Sequence, residues 1–187
     1  MFKAFRIKIY FFHSNRLVMV MKGLKFYLTQ GVVFVSVLGT LLHFAYNWSG
    51  NNLLVGLFTP INESIWEHAK LIFFPLLFYA LYLDKRIGKD YPCINSAIRF
   101  ASLFGVTLII VLFYTYSGIL GFHVAFVDIS IFYISVILVF YLAYQLTNSC
   151  KAEPYGTILQ ILEFVLLCLF IFFTFFPPNL PLFINPK

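Results

Sequence analysis

Long apolar runs, separated by short polar loops, constrain this chain more than any other feature. Each run is about 20 residues long, which matches the hydrocarbon core of a bilayer. Of the 187 residues, 61% are hydrophobic and only 11% are charged, whereas about 25% of a soluble domain is charged. Backbone groups in lipid find no water to bond, so such runs must fold as helices. The sequence therefore predicts an all-α integral membrane protein.

The runs predict a bundle of five transmembrane helices with a segment on either side. We expect the helices at residues 26–48, 60–83, 94–120, 122–146 and 154–176. Before them, residues 1–25 mix Lys and Arg with aromatic and aliphatic residues, which is typical of a basic amphipathic segment lying on the membrane surface. After them, residues 177–187 contain four prolines, which exclude a continued helix. The expected domains are thus 1–25, 26–176 and 177–187.

The distribution of basic residues predicts the orientation. Ten of the 13 Lys and Arg lie in residues 1–25, 84–93 and 147–153, whereas 49–59 and 117–121 contain none. By the positive-inside rule, the N-terminus is cytoplasmic and the C-terminus lies outside. The formal charge of +6 is then an orientation signal, so we expect a lipid bilayer and no nucleic acid as partner. Cys93 and Cys150 fall on the cytoplasmic side, where we expect no disulfide.

The stretch Asn62–Lys70 is unusually polar for the start of a membrane helix. It contains two carboxylates, an imidazole and an ammonium directly before the apolar residues 71–83. Ionisable groups are costly in a membrane and usually serve a function there. If the helix includes the whole stretch, Glu63, Glu67 and Lys70 share one face and His68 lies on the adjacent face.

Further ionisable residues are expected at the same depth on other helices. At ~1.5 Å per residue, His43 lies near the outer end of the first span, and His123 and Asp128 lie near the outer end of the fourth. Buried ionisable groups need partners, so convergence on one pocket is the favoured interpretation. Because His123 and Asp128 are five residues apart on a predicted helix, only one of them need face that pocket.

Three imidazoles with a carboxylate are typical of a catalytic zinc site, which keeps a fourth position for water. The predicted metal ligands are His43, His68 and His123. Glu67 or Glu63 would act as general base, Asp128 would orient a histidine, and Lys70 would stabilise an oxyanion. This pattern predicts a metal-dependent hydrolase or transferase at the outer face of the membrane, with a lipid-like substrate.

Three alternatives use the same residues. The polar cluster can be a structural network of ion pairs that fixes helix packing. It can belong to an ion- or proton-coupled transporter or channel, which requires a polar path from Glu67 to Glu163. It can also belong to a non-catalytic partner subunit. Glu163 and Arg99 lie at similar depth on different spans, so we expect a buried ion pair between them, with a proton-relay acid as the alternative.

Two motifs resemble a known family. Asn62–Lys70 reads N-E-S-x-W-E-H-x-K, and residues 177–186 read P-P-x-x-P-L-F-x-x-P. Together with His43 and the pair Asn47-Trp48, they resemble an uncharacterised family of small bacterial multi-pass membrane proteins. The resemblance covers most of the chain from about residue 26. It implies a bacterial plasma-membrane protein and brings no activity with it.

Overall fold

Helices make up about 80% of the chain, and the described residues form no strand. The structure is a computed structural model that describes residues 2–186, with side chains from residue 23 onward. The predicted surface role of residues 1–25 therefore concerns side chains that lie mostly outside the described ones. The α-helices are α1 (Phe2–Trp48), α2 (Leu53–Gly56), α3 (Ile65–Ile87), α4 (Ile94–Leu120), α5 (Ala125–Ser149) and α6 (Gly156–Phe175). Two short 3-10 helices lie at Glu153–Tyr155 and Pro181–Phe183.

Within the part of the chain that the structure describes, four segments are long and apolar enough to cross a membrane. They are Gly23–Trp48, Ile94–Leu120, Ala125–Ser149 and Glu153–Phe175. The expectation of an all-helical, membrane-type protein is confirmed at this level. The fifth long helix, α3, has 23 residues, but the charges in its first two turns lower its mean hydropathy and leave it outside this group.

The helices α3 and α4 occupy the centre of the bundle. Helix α3 packs against α1, α4 and α6, while α4 also packs against α5. The middle of α3 is enclosed on all sides, since Ile72, Phe73, Phe74 and Leu76 are fully buried. A helix that is apolar all round is stable only inside a protein or a membrane. Its polar first turns are therefore held at one end of a tightly packed central helix.

The proline-rich tail folds back against α3. Its 3-10 helix, Pro181–Phe183, contacts α3, and the ring centroid of Phe183 lies 5.1 Å from that of Trp66. Phe170 and Phe173 of α6 complete this aromatic cluster around Trp66. The tail is thereby placed beside the polar end of α3.

The start of α3 differs from the prediction. The helix begins at Ile65 rather than at residue 60, because the Ser64 hydroxyl accepts a hydrogen bond from the Glu67 backbone N–H at 3.4 Å and caps it. The Asn62 side chain accepts a hydrogen bond from the Ser64 N–H at 2.9 Å and forms the preceding turn. Glu63 therefore lies before the helix, and the predicted shared face with Glu67 and Lys70 is wrong.

A disulfide joins Cys93 to Cys150, with 5.3 Å between their Cα atoms, so the expectation of no disulfide is wrong. Cys93 directly precedes α4 and Cys150 directly follows α5. Because α4 and α5 pack against each other, these two helix ends meet. Disulfides persist in oxidising compartments, so this bond favours Cys93 and Cys150 lying outside the cytoplasm. The distribution of Lys and Arg favours the opposite orientation, with both cysteines on the cytoplasmic side.

The expected ion pair between Arg99 and Glu163 is confirmed. The Arg99 guanidinium donates a hydrogen bond to the Glu163 carboxylate, and Glu163 is buried. The pair joins α4 to α6 near the end of the bundle that carries the disulfide. Pairing offsets part of the cost of burying the carboxylate, whose Oε1 atom has no hydrogen-bond partner among the described residues.

Candidate metal centre

Two histidines and a glutamate converge at the polar end of α3. Ligand atoms of His43, Glu63 and His68 all lie within 4.8 Å of one another, and among the described residues this is the group that could hold a metal ion. His43 comes from the penultimate turn of α1, Glu63 from the turn before α3, and His68 from the first turns of α3. The cap at Ser64 brings Glu63 next to the helix that carries His68.

The hydrogen bonds of His68 fix the orientation of its ring. Its Nδ1 lies 3.0 Å from the Ser64 carbonyl oxygen, and because a carbonyl only accepts, Nδ1 must donate. Its Nε2 lies 3.2 Å from the Glu63 carboxylate. The hydrogen bond with His68 lowers the pKa of Glu63 below its usual 4.5. Metal-binding histidines are commonly oriented by a hydrogen bond from one nitrogen to a backbone carbonyl. A metal at Nε2 would take the place of the proton that His68 shares with Glu63.

His43 completes the group from α1. Its ring centroid lies 5.2 Å from that of His68. The Nδ1 atom of His43 is buried and has no hydrogen-bond partner among the described residues. Buried polar atoms are nearly always satisfied, so an unpaired ring nitrogen beside two potential ligands requires an explanation. A metal ion bound to the group would provide one.

A cavity of about 370 Å³ opens beside this group. Its volume falls within the usual range for small-molecule sites. Five polar residues line it, namely Glu63, His68, His123, Asp128 and Asn185. The remaining lining residues are apolar and include Leu71, Ile109, Phe113, Ile131 and Phe132. A cavity with a polar part and apolar walls suits an amphipathic molecule.

The third predicted ligand, His123, lines the same cavity but is not in the His43–Glu63–His68 group. Its Nδ1 lies 3.2 Å from the Asp128 carboxylate. The structure therefore brings together two of the three predicted histidines and adds Glu63, which sequence reasoning placed as a base. His123 reaches Asp128 because α5 begins only at Ala125, so the helical rotation assumed between the two residues does not apply.

Glu67 and Lys70, two of the predicted catalytic residues, form a separate buried network. Lys70 Nζ donates hydrogen bonds to Glu67 Oε2 at 2.6 Å, Thr174 Oγ1 at 2.6 Å and the Gly56 carbonyl at 3.1 Å. Glu67 Oε2 also accepts from the Ile61 N–H at 3.1 Å. All three ammonium donors are thus used, and neither side chain lines the cavity beside His68. The network ties α3 to α6 and to the loop after α2.

An aromatic layer lies directly beneath this network. Phe73 and Phe74 follow Lys70 by one turn on α3, and Phe170 precedes Thr174 by one turn on α6. All three rings are fully buried, and they contact one another with centroids 5.1–6.1 Å apart. Glu163 lies a further seven residues along α6. This buried aromatic layer lies between Glu67 and Glu163 along these two helices, where transport would require polar groups.

Sequence reasoning did not identify Tyr116, Thr174 or the capping role of Ser64. One signal was available for Ser64, since Ser64-x-x-Glu67 matches the Ser-x-x-Glu pattern of a helix N-terminus. Tyr116 and Thr174 lie in apolar helices, and their partners are 12 and 104 residues away. No local pattern reveals such pairings.

These features define an all-helical, membrane-type protein with a His/Glu group that could hold a metal ion. The chain belongs to a family of unknown function, DUF6512, which matches residues 17–186. This membership agrees with the resemblance to an uncharacterised family. No curated protein and no solved structure matches the chain.

Proposed function

We propose that the protein is a membrane-embedded, metal-dependent hydrolase or transferase that acts on a lipid-like substrate. One observation carries the proposal: His43, Glu63 and His68 bring three ligand atoms within 4.8 Å of one another beside a cavity. In this proposal α3 is a fifth membrane-spanning helix. Its polar end is covered by α1, by the loop that precedes α3 and by the proline-rich tail.

The donor set and its spacing suit zinc. Imidazole and carboxylate are common zinc ligands, and with metal–ligand bonds of ~2.0–2.1 Å two tetrahedral ligands lie about 3.3 Å apart. The His68 Nε2 and Glu63 Oε2 atoms lie 3.2 Å apart. His43, with its unpaired buried Nδ1, needs only a small side-chain movement to complete the set.

The number of ligands favours a catalytic site over a structural one. Structural zinc sites use four protein ligands, whereas catalytic sites use three and leave a position for water or substrate. Here the described residues supply three, and the cavity lies beside Glu63 and His68. A bound zinc lowers the pKa of such a water to about 7, which supplies a nucleophile at neutral pH. The mainly apolar cavity walls favour a substrate with an apolar chain.

The proposal gives Glu67 and Lys70 a positioning role rather than a catalytic one. Their ion pair is buried and anchors the first turns of α3, which carry His68. The proposal therefore assigns His43, Glu63 and His68 to a metal site. It treats Glu67 and Lys70 as a structural network that fixes helix packing.

The cobalt spectrum of the purified protein tests the metal site. We expect full-length protein in lipid nanodiscs to bind one Co²⁺ per chain with the intense visible bands of four-coordinate cobalt. His68→Ala and His43→Ala should each weaken binding at least tenfold. The matched control is His123→Ala, which removes an imidazole from the same cavity and should leave Co²⁺ affinity unchanged. Wild-type affinity in His68→Ala, or equal losses in all three variants, would contradict the assignment.

We place the site at the outer face of the membrane, because the loop 49–59 beside it contains no Lys or Arg. Ser49→Cys in a background without native cysteines tests this placement. A membrane-impermeant maleimide should label Ser49→Cys in intact cells. Labelling only after lysis would place the site in the cytoplasm and the Cys93–Cys150 disulfide outside.

A further inference from the structure

A second polar cluster lines the same cavity as Glu63 and His68. His123 Nδ1 lies 3.2 Å from Asp128 Oδ2, and the Tyr116 hydroxyl donates a hydrogen bond to Asp128 Oδ1. The same hydroxyl accepts a hydrogen bond from the Val124 N–H at 3.1 Å. Both carboxylate oxygens are therefore engaged, and Asp128 is held in one orientation.

This arrangement sets the tautomer of His123. Because a carboxylate accepts, the Nδ1 atom of a neutral His123 must carry the proton, and Nε2 keeps its lone pair. A histidine held in this way by a carboxylate is a common general base, since the carboxylate orients the ring and stabilises the imidazolium that forms. Tyr116 in turn fixes the carboxylate, so three residues act as one unit.

The position of His123 matters as much as its hydrogen bonds. It lines the cavity beside Glu63 and His68, and also a neighbouring cavity of about 400 Å³ bounded by Phe122 and Ile184. The titratable residues lining the two cavities are Glu63, His68, Tyr114, His123 and Asp128. Glu63 and His68 serve as ligands in the proposed function, and the tyrosine hydroxyl remains neutral near pH 7. The His123–Asp128 pair is what remains for proton transfer.

We propose that His123, oriented by Asp128 and Tyr116, is the general base and acid of the reaction at the metal centre, and that the substrate is an ester with an apolar acyl chain. The inference rests on the proposed function. It moves His123 from metal ligand to proton carrier and places the acyl chain against the cavity wall formed by Ile109, Ile131 and Phe132.

The proton transfers balance for ester hydrolysis. As the water oxygen bonds to the ester carbonyl carbon, His123 Nε2 accepts one water proton. The imidazolium then gives that proton to the alkoxy oxygen as the bond between this oxygen and the carbonyl carbon breaks. The products are a carboxylic acid and an alcohol, and His123 returns to its neutral form.

A purely structural role is the competing interpretation. Asp128 lies in the first turn of α5, and the N-cap residue of that helix has no side-chain cap. A carboxylate there stabilises the helix dipole. The tests must therefore use readouts that a helix-stabilising role does not change.

The first test follows the visible spectrum of the Co²⁺-loaded protein in nanodiscs from pH 5 to pH 9. Two interacting groups titrate in two steps, so we expect two spectral steps in the wild type and one in His123→Gln, with Co²⁺ content unchanged. Asp128→Asn should also change the titration. A titration that is identical in wild type and His123→Gln overturns the inference. Absence of a Co²⁺ spectrum in the wild type refutes the metal site itself, so the two failures are distinguishable.

The second test measures hydrolysis of p-nitrophenyl acetate, butyrate and octanoate by the Zn²⁺-loaded protein. General acid–base catalysis contributes about 10²- to 10⁴-fold, so His123→Gln should lower kcat by that factor, with KM changed less than threefold. Tyr116→Phe should lower kcat less, while Tyr114→Phe should leave it unchanged. If His123→Gln keeps kcat and its pH profile, or if the Zn²⁺-loaded wild type hydrolyses none of the esters, the inference is overturned.

Discussion

Replacing Lys70 with methionine tests whether the buried ion pair holds the structure around the candidate site. Lys70→Met keeps most of the side-chain volume and removes the ammonium, which is fully buried. The Glu67 carboxylate then remains buried. Of the two donors to its Oε2 atom, Lys70 Nζ is lost and the Ile61 N–H is left. The Gly56 carbonyl and the Thr174 hydroxyl also lose their donor.

The expected loss of stability is large. Leaving one partner of a buried ion pair uncompensated costs about 3–5 kcal/mol. For a chain of 150–250 residues, each kcal/mol corresponds to roughly 2–4 °C in Tm. Lys70→Met should therefore lower the Tm by about 6–20 °C. The double variant Glu67→Gln/Lys70→Met removes both charges and should recover at least half of that loss.

Thermal unfolding of the purified protein in detergent, followed by fluorescence-detected size exclusion, measures the effect. Lys89→Met is the matched control, because it removes an exposed lysine and should change stability by less than about 0.5 kcal/mol. A Tm for Lys70→Met within 2 °C of wild type would refute the reasoning. So would a double variant less stable than Lys70→Met alone.

Three further expectations follow from the packing. A Cβ on Gly31 would clash with the ring of Phe140, whereas one on Gly118 meets nothing within 4 Å. Gly31→Ala should therefore cost about 1–3 kcal/mol in thermal unfolding, and an equal effect of Gly118→Ala would contradict this. Replacing Cys93 and Cys150 by serine should lower the free energy of unfolding by about 2–5 kcal/mol. In the wild type, intact-mass analysis after alkylation without reductant should find neither of these thiols free. Two additional alkylated cysteines would refute the disulfide. Arg99→Met leaves its partner carboxylate buried and should cost about 3–5 kcal/mol; a double-mutant cycle with no coupling would contradict the pair.

The lengths of the apolar runs determine most of the fold, and they can be read directly from the sequence. The apolar run 94–120 predicts one span, and α4 covers it. The starts of other helices were less predictable because they depend on local hydrogen bonds. Ser64 and Asn62 delay the start of α3, and α5 begins at Ala125 rather than at the predicted residue 122.

The candidate site was predictable in its location but not in its pairings. His43 and His68 converge as expected, because both lie at the same end of neighbouring helices. Glu63 joins them since the turn before α3 brings its carboxylate to His68. His123 pairs with Asp128 instead, as a result of the delayed start of α5. Such partner choices depend on distances of a few ångströms, which helical periodicity does not determine.

The most direct test of the central claim is X-ray absorption at the zinc edge on full-length protein in nanodiscs loaded with one equivalent of Zn²⁺. We expect a four-coordinate centre with two imidazole ligands and oxygen ligands, at distances of about 2.0–2.1 Å. His68→Ala should lose one imidazole from that shell, and His123→Ala should keep both. A shell of six oxygen atoms, or a wild-type spectrum that His68→Ala does not change, would contradict a metal centre at His43, Glu63 and His68.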